Sequence, residues 1–466
     1  MTSCFQKFVK GPWPAYLLVL TDFFGLGCIM PLLPFFTNEF AETNKAMWLG
    51  AIMSSQAAGV VIGTIIIGKL SDVFGRRQVG IFSMCGDCVM FLLSGVVTTP
   101  GTMLAVRACA GLFCPIPCAF GWVIDVSPNK LRAKRLGQTT AAIMGGMFLG
   151  FTVAAVVGEF SSLFVAMLIP SSFAGCVALL LIVFVPDPKP ESLPKPAATK
   201  APATPETETE TERTAPTELI PPTELNPSIE ITPPTPTPTA TATATAPTSV
   251  IKQTSPLPVL QTSRWKTIFV TQMGVGLLVG HFQAVAMLMM VNKHGITALG
   301  LGLFNIVTVL VMLISNIWVF PIVYKWLGQD KILCGGLIIC GLSFSVGWYT
   351  EFSLVAYFSL MMPIFLIAMI LLPTGQTAAA DLSKVLAPTA VGGVQGLTRV
   401  GVDFGKVIAP IVSASIYGDG NGRPMAYGWV GICMVVAGIL FGVYSKPPEK
   451  VVLALKAEKK QEEAGG

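Results

Sequence analysis

Twelve long apolar runs dominate the sequence and leave few possible folds other than a helical membrane protein. Each run has roughly 20 mostly apolar residues, the length at which a helix crosses the hydrocarbon of a bilayer. Backbone polar groups in lipid must be satisfied within the segment, so the runs are expected to be helices. Hydrophobic residues make up 53% of the 466-residue chain and charged residues only 12%. This composition excludes a water-soluble globular fold.

The apolar runs form two groups of six, which predicts an all-α fold of two six-helix bundles at 1–185 and 264–446. The predicted spans lie near 13–36, 47–67, 79–97, 101–124, 136–157, 162–185, 268–291, 299–323, 332–348, 352–372, 391–416 and 425–443. Between the groups, residues 186–263 are rich in Pro, Thr and Ala, which predicts a disordered linker. An alternative to a plain linker is a regulatory segment in which the many Thr and Ser residues are phosphorylated. Residues 447–466 form a predicted tail.

Lys and Arg cluster in alternate loops, and this pattern predicts the orientation. Basic residues follow the second and fourth spans, at 69–77 and 130–135, and recur in the later even-numbered loops and the tail. Because basic loops stay on the cytoplasmic side, both termini and the linker are expected to be cytoplasmic. The first run is span-length and contains Asp22, so we expect an uncleaved helix rather than a signal peptide. No basic patch indicates nucleic-acid binding.

The two groups of spans repeat one another. A proline, an aspartate and a glycine recur with the same offsets in both groups, as Pro117, Asp125 and Gly137 and as Pro373, Asp381 and Gly393. Likewise, the segment at 68–77 has a degraded copy at 321–330, aligned on Gly75 and Gly328. Duplicated halves are a common way to build a transporter with its binding site between them.

The segment at 68–77, with the sequence GKLSDVFGRR, carries glycines, an acid and paired bases between two spans. In this order they resemble the signature cytoplasmic loop of the major facilitator superfamily of transporters. Gly68 and Gly75 are expected to permit a tight turn. The positive-inside rule would account for Arg76 and Arg77, but it does not require Asp72 or either glycine.

The resemblance assigns this loop a role as a conformational switch. It implies that Asp72 binds the amino end of span eleven near Gly392 and Gly393, where helix amides favour an anion. It also implies that Arg76 pairs with Asp125 at the end of span four. Together these contacts would hold the outward-open state and break when the protein opens inward.

Two further motifs extend the resemblance over nearly all the chain outside the linker. Arg107 followed by Gly111 in span four is similar to the family's second motif, and a charge at this depth is expected to face the protein interior. Span five is similar to the glycine-rich antiporter motif, and its Gly146 and Gly150 are expected to bring helices together. Phe151 stands at the motif's usual proline position, so close packing explains these glycines as well as antiport does.

Span one has an acid, spaced glycines and two prolines, and resembles the tetracycline and multidrug efflux branch of the family. Asp22 lies about 15 Å from the start of its helix, near mid-bilayer, and is the leading candidate for a proton carrier. Six charged residues lie in predicted spans, and their equal numbers of each sign suggest mutual neutralisation. They are Asp22, Asp87, Asp403, Arg107, Arg399 and Lys406. Arg399 and Asp403 are four apart and can pair on one helix, whereas Asp87 fits a structural pair and proton transfer equally well.

Polar residues in spans seven and eight are candidates for the substrate cavity, namely His281, Gln283 and Asn305. Each could instead form an interhelical hydrogen bond. The cysteines lie far in sequence from both histidines, so we expect buried thiols and no metal site or cofactor. Nothing in the sequence suggests an enzyme. No GxxxxGK[ST] loop is present, which argues against ATP-driven pumping.

The resemblance implies a monomeric twelve-helix transporter that exports an amphiphilic small molecule in exchange for protons, in the plasma membrane or an organelle. Two alternatives remain at this point. A uniporter or symporter for a polar metabolite is favoured by the missing proline in span five. A receptor or scaffold that has lost transport would use the linker as a docking platform, although Asp72, Arg76 and Asp125 argue against it.

Overall fold

Apolar helices joined by short turns make up the computed structural model, which describes residues 11–185, 256–346, 354–387, 391–418 and 423–446. In the first half, the N-half, the helices are α1 Trp13–Ile29, α2 Leu33–Phe40, α3 Lys45–Phe74, α4 Arg76–Val96, α5 Pro100–Leu112, α6 Ile116–Asp125, α7 Asn129–Phe160 and α8 Leu163–Phe184. Most of the predicted linker and the predicted tail lie outside the described residues.

The second half, the C-half, begins inside the segment predicted as linker, because α9 occupies Leu257–Leu260. The remaining elements are α10 Ser263–His281, the π-helix π1 Phe282–Ala286, α11 Met287–His294, α12 Ala298–Ile314, the π-helix π2 Ser315–Val319, α13 Phe320–Val346, α14 Leu354–Leu386, α15 Val391–Tyr417 and α16 Arg423–Tyr444. Both π-helices interrupt predicted spans, and such interruptions are frequent at functional sites.

The number of membrane spans follows from the lengths of these helices. Ten described segments are long and apolar enough to cross a membrane, and the bent pair α1 and α2 makes eleven. One of the ten runs for 49 residues from Ala298 to Val346, about twice the length that a bilayer requires. It breaks at Gly328, whose φ of 72° lies outside the helical range. Counting its two arms separately gives the twelve predicted spans.

Two spans predicted as single helices are broken at prolines. The axis turns by 43° between α1 and α2, where Pro31 lies in the break and Pro34 in the first turn of α2. Span four is interrupted between α5 and α6, where Pro115 lies in the break. Proline removes a backbone donor and clashes with the preceding turn, which explains both interruptions.

Glycines allow the main helix pair of each half to pack at backbone distance. A Cβ atom on Gly146 of α7 would meet the Leu20 carbonyl of α1, and one on Gly150 would meet the Phe24 carbonyl and the Gly27 Cα. In the C-half, Gly276 of α10 and Gly405 of α15 approach each other in the same way. The two pairs, α1 with α7 and α10 with α15, are related by the internal repeat.

The two halves touch at one end of the molecule. We call the end where residues 185 and 256 flank the linker the linker end, and the opposite end the far end. At the far end α3 packs on α15, where a Cβ on Gly50 would meet the Pro410 carbonyl, and α7 packs on α12, where a Cβ on Gly302 would meet Ala155. The Asn38 amide also donates to Asn292 Oδ1 at 2.8 Å.

The carboxylate of Glu159 closes this end further, because it accepts a hydrogen bond from the Leu299 amide, at 3.0 Å, across the two halves. A Cβ atom on Gly145 of α7 or on Gly396 of α15 would have no atom within 4 Å, so these two positions are open. The contacts between the described parts of the halves named above lie at the far end.

The packing of α7 on α1 yields a test with a neighbouring control. Gly146→Ala places a methyl group against the α1 backbone, and overpacking of this kind typically costs about 1–3 kcal/mol. We therefore expect Gly146→Ala to lower the thermal unfolding temperature of the purified protein in detergent. Gly145→Ala meets open space and should leave that temperature unchanged or slightly raised, since alanine favours helix. Equal effects of the two substitutions would contradict the packing.

Candidate functional site

Arg76 lies at the centre of a polar cluster at the linker end of the N-half. Its Nε donates to Asp125 Oδ2 at 2.9 Å, and its two terminal nitrogens contact Asp72 Oδ1 at 2.7 Å and the Ser71 hydroxyl. The guanidinium packs against Gly121, where a Cβ would lie 2.6 Å from Arg76 Cζ. Any side chain at Gly121 would therefore displace it. The cluster joins α3, α4 and the end of α6.

Asp72 is largely exposed, with 65% of its side chain accessible, although it pairs with Arg76. Gly392 and Gly393 are the predicted partners of Asp72, but their surroundings are not described by the structure. The prediction that Gly68 forms part of a tight turn is wrong, because α3 continues as helix to Phe74. The turn is made at Gly75 alone, with φ of 94°, and its repeat partner Gly328 also has a positive φ.

Arg77 makes different contacts from Arg76. Its guanidinium donates to the carbonyls of Leu181, at 3.2 Å, and Ile182, at 2.7 Å, and so satisfies the carboxyl end of α8. In the C-half, Arg264 donates to the Ser445 carbonyl after α16, at 2.8 Å, and pairs with Asp330 at 2.7 Å. Each half thus uses one guanidinium to cap its last helix, and sequence patterns did not reveal the role of Arg264.

Three charged residues meet inside the N-half, and we call them the acidic centre: Asp22 of α1, Asp87 of α4 and Arg107 of α5. Both carboxyl groups interact electrostatically with Arg107 and with each other. Asp87 and Arg107 are buried, whereas Asp22 is half-buried. With every group ionised the centre carries a net charge of −1.

The Arg107 guanidinium forms only part of its possible hydrogen bonds with the described residues. Its Nε donates to Gln56 Oε1 at 3.2 Å, but its two terminal nitrogens and Asp87 Oδ2 are buried without a hydrogen-bond partner there. Sequence analysis missed Gln56, which lies in an apolar helix with no motif around it. Gly111, one turn after Arg107, packs against the Gln56 carbonyl and Gly59, which brings α3 and α5 close together.

Arg399, Asp403 and Lys406 lie on α15, and we call them the basic centre because two bases accompany one acid. Among the described residues, Lys406 and not Arg399 is the base that pairs with Asp403, with 3.4 Å between Nζ and Oδ1. The predicted pairing of Arg399 with Asp403 is therefore wrong. Spacings of three and four residues are equally close on a helix, so the sequence could not distinguish them.

His281 is buried inside the C-half. Its Nδ1 lies 2.8 Å from the Ser413 hydroxyl, which also accepts a hydrogen bond from Trp429 Nε1 at 3.1 Å. The edges of Phe344 and Tyr427 pack against the imidazole ring. The histidine thus anchors α10 to α15 and α16, and the structure places it away from the cavity between the halves.

A small pocket, which we call the cavity, is lined by residues of both halves. Two of the polar residues predicted to line the substrate cavity, Gln283 and Asn305, line this one. Its other lining residues are Met30, Met147, Phe151, Val279, Phe282, Met287, Thr308, Val309, Met312 and Phe365. The Asn305 and Thr308 side chains donate to carbonyls of their own helix, so the lining is mostly apolar. Flexible methionines and aromatic rings suit an apolar ligand of variable shape.

Comparison with known proteins supports the resemblance seen in the motifs. The family model described as Major Facilitator Superfamily matches residues 15–387. A class H tetracycline resistance protein of Pasteurella multocida is 32% identical over 149 residues, covering 31% of this chain and 37% of that protein. The quinolone resistance protein NorA of Staphylococcus aureus is 26% identical over 184 residues, covering 37% of this chain and 45% of NorA. The chain thus spans less than half the length of these relatives.

Solved structures match over most of the chain at low identity and so bear on the fold alone. An inward-facing, occupied bacterial homologue of the human lysosomal transporter Spinster has a TM-score of 0.69 and 12% identity, with 96% of this chain and 98% of that chain covered. The nucleoside transporter NupG has a TM-score of 0.64 and 13% identity, with 93% and 99% covered.

Proposed function

Because the chain belongs to the major facilitator superfamily, we propose that it is a secondary transporter that exports an amphiphilic small molecule in exchange for protons. The observation that carries this proposal is the cavity between two repeated halves, which touch at the far end. A cavity reached from one side at a time is what alternating access requires. The matched parts of the tetracycline and quinolone resistance proteins support export as the direction.

The cavity lining indicates the chemistry of the substrate. Methionine and phenylalanine side chains from both halves surround an apolar space, and Gln283 offers an amide at its edge. The Gln283 Nε2 lies 3.6 Å from Met30 Sδ, a weak contact that a better acceptor would replace. An amphiphile with an apolar body fits this space, whereas a fully polar metabolite would lose hydration without compensating hydrogen bonds.

We further propose that the linker end is cytoplasmic, as the distribution of basic residues predicts. The structure would then represent the inward-facing state. Cysteines introduced singly at Lys69, exposed at the linker end, and at Glu42, exposed at the far end, test this orientation. In intact cells an impermeant thiol reagent should label Glu42→Cys and reach Lys69→Cys only after permeabilisation. The reverse pattern would contradict the orientation and, with it, the direction of transport.

The cluster around Arg76 fits a switch between two states. In this structure the Asp72 carboxylate is exposed and held by Arg76. When the halves close at the linker end, Asp72 is proposed to bind the amino end of α15, where free helix amides favour an anion. Arg76 and Asp125 then keep Asp72 at the correct place on α3. The far-end contacts of Asn38 and Glu159 would break in the same movement.

The acidic centre is proposed to carry the proton. Two carboxylates lie within electrostatic range of one guanidinium in a medium of low dielectric, so the uncompensated negative charge is costly unless one carboxyl group is protonated. Asp22, the more accessible of the two, would exchange this proton with the cavity, and Asp87 would remain as the second acid beside Arg107. A change in the protonation of Asp22 alters the net charge between α1 and α5 and can bias which state the halves adopt.

Replacement of the carboxyl group tests this assignment. Asp22→Asn should abolish the dependence of transport on an imposed pH gradient, because an amide cannot release a proton, while substrate counterflow in the absence of a gradient persists. Transport into proteoliposomes with a pH-sensitive dye measures both. Glu42→Gln removes an exposed acid and should behave like the wild type. Gradient-driven transport by Asp22→Asn at the wild-type rate would refute the role of Asp22.

A uniporter or symporter is the second candidate, and one observation favours it. Helix α7 runs unbroken over Asn129–Phe160, and Phe151, which replaces the antiporter proline, is buried at the cavity. A straight helix here removes the bend that the family's antiporters share. Counterflow in the wild type without any movement of protons would support this candidate over the antiporter.

A further inference from the structure

The basic centre occupies one face of α15, and this face is directed toward the N-half. Arg399, Asp403 and Lys406 are spaced by four and three residues, so they lie on one side of the helix. Pro410 follows four residues later on the same side. Its carbonyl lies against Gly50 of α3, in the N-half. Closer to the linker end, the same face is therefore directed toward the other half.

The charges of the basic centre are only partly compensated. Lys406 Nζ and Asp403 Oδ1 are 3.4 Å apart, longer than the 2.7–2.9 Å typical of a charge-assisted hydrogen bond. The Lys406 side chain is 24% exposed. Arg399 Nε is buried and has no hydrogen-bond partner in the described part of the chain. Two bases with one acid give a net charge of +1.

The basic centre faces the acidic centre across the interface. Cys114, in the break between α5 and α6, lies within electrostatic range of Asp22 in its own half and of Asp403 and Lys406 in the other. The N-half centre has a net charge of −1 and the C-half centre +1. The two halves thus present opposite charges to the same space, and a ligand that enters it meets a base on α15.

The basic centre also adjoins the apolar cavity. A Cβ on Gly280 of α10 would lie 3.1 Å from the Lys406 Cα. Val279, the residue before Gly280, and Phe282, two residues after it, line the cavity. A ligand whose charged group reaches Lys406 can therefore place an apolar body among the methionines and phenylalanines.

We propose that the substrate carries an anionic group, a carboxylate or sulfonate, which Lys406 and Arg399 bind. The proposal rests on the transport function proposed above and specifies its substrate class. An anion would neutralise the excess positive charge of the basic centre and satisfy the free Arg399 Nε. Guanidinium and ammonium donors bind such anions through strong hydrogen bonds. The proton stays with Asp22 and Asp87, so the two cargoes occupy separate centres.

Binding of three matched probes to the full-length protein in detergent tests the proposal. The probes are naphthylbutyrate, its methyl ester and naphthylbutylamine, which share one apolar body, and calorimetry gives the dissociation constants. The carboxylate should bind about tenfold more tightly than the ester, the effect expected when a charged contact is gained. Lys406→Gln and Arg399→Gln should each remove most of this preference and leave ester binding unchanged.

Control variants separate charge from folding. Lys406→Arg should retain the preference for the carboxylate, and Lys331→Gln, which removes an exposed base on α13, should not change it. Asp403→Asn should strengthen carboxylate binding, because it removes the competing internal acid. Tighter binding of the amine, lost in Asp403→Asn, would overturn the proposal in favour of a cationic substrate. Equal affinities for the three probes, or no binding of the carboxylate, would also overturn it.

Transport assays distinguish failure of this proposal from failure of the proposed function. Suppose that Lys406→Gln still transports the amine or the ester into proteoliposomes under a pH gradient, and that the wild type binds the carboxylate no more tightly than the ester. The transport function then stands and the anion proposal is wrong. If the wild type moves none of the probes under any gradient while the carboxylate preference holds, the binding site stands and the transport function is in question.

Discussion

A charge buried in a membrane protein must be compensated, and the way this chain compensates its buried charges determines how its two halves can work. The spans place two acids and one base inside the N-half, and two bases and one acid on α15. Each centre is left with one uncompensated charge, of opposite sign, next to the interface between the halves. A proton can neutralise the first centre and an anion the second. In this proposal the charges that are costly in lipid are the ones that bind cargo.

Rigid halves are the second requirement for such a mechanism. Glycines bring α1 against α7 and α10 against α15 at backbone distance, so the main helix pair of each half is closely packed. At the linker end, Arg77 caps α8 and Arg264 caps the end of α16. The charges at corresponding positions differ between the halves. Asp330 of the C-half aligns with Arg77 of the N-half, and Asp330 binds Arg264. The halves differ in residues while they preserve the same physical contact.

Composition and local pattern predict the spans and the repeat. The proximity of Arg76 to Asp125 follows from the resemblance to the family's loop motif. Other features depend on distances that no pattern encodes. The sequence could not show that α3 stays helical through Gly68, that Gln56 is the partner of Arg107, or that Lys406 pairs with Asp403. It also could not distinguish His281, buried against Ser413, from Gln283 at the cavity, since both lie in the same predicted span.

The central claim is that the far end and the linker end open in alternation. Spin labels at Glu42 and Lys293 report on the far end, and labels at Lys69 and Gly396 report on the linker end, in a cysteine-free variant. Pulsed electron resonance distances should be measured in nanodiscs as the pH and the ligand are varied. The far-end distance should lengthen under conditions that shorten the linker-end distance. Distances that lengthen together, or that never change, would contradict alternating access by these two halves.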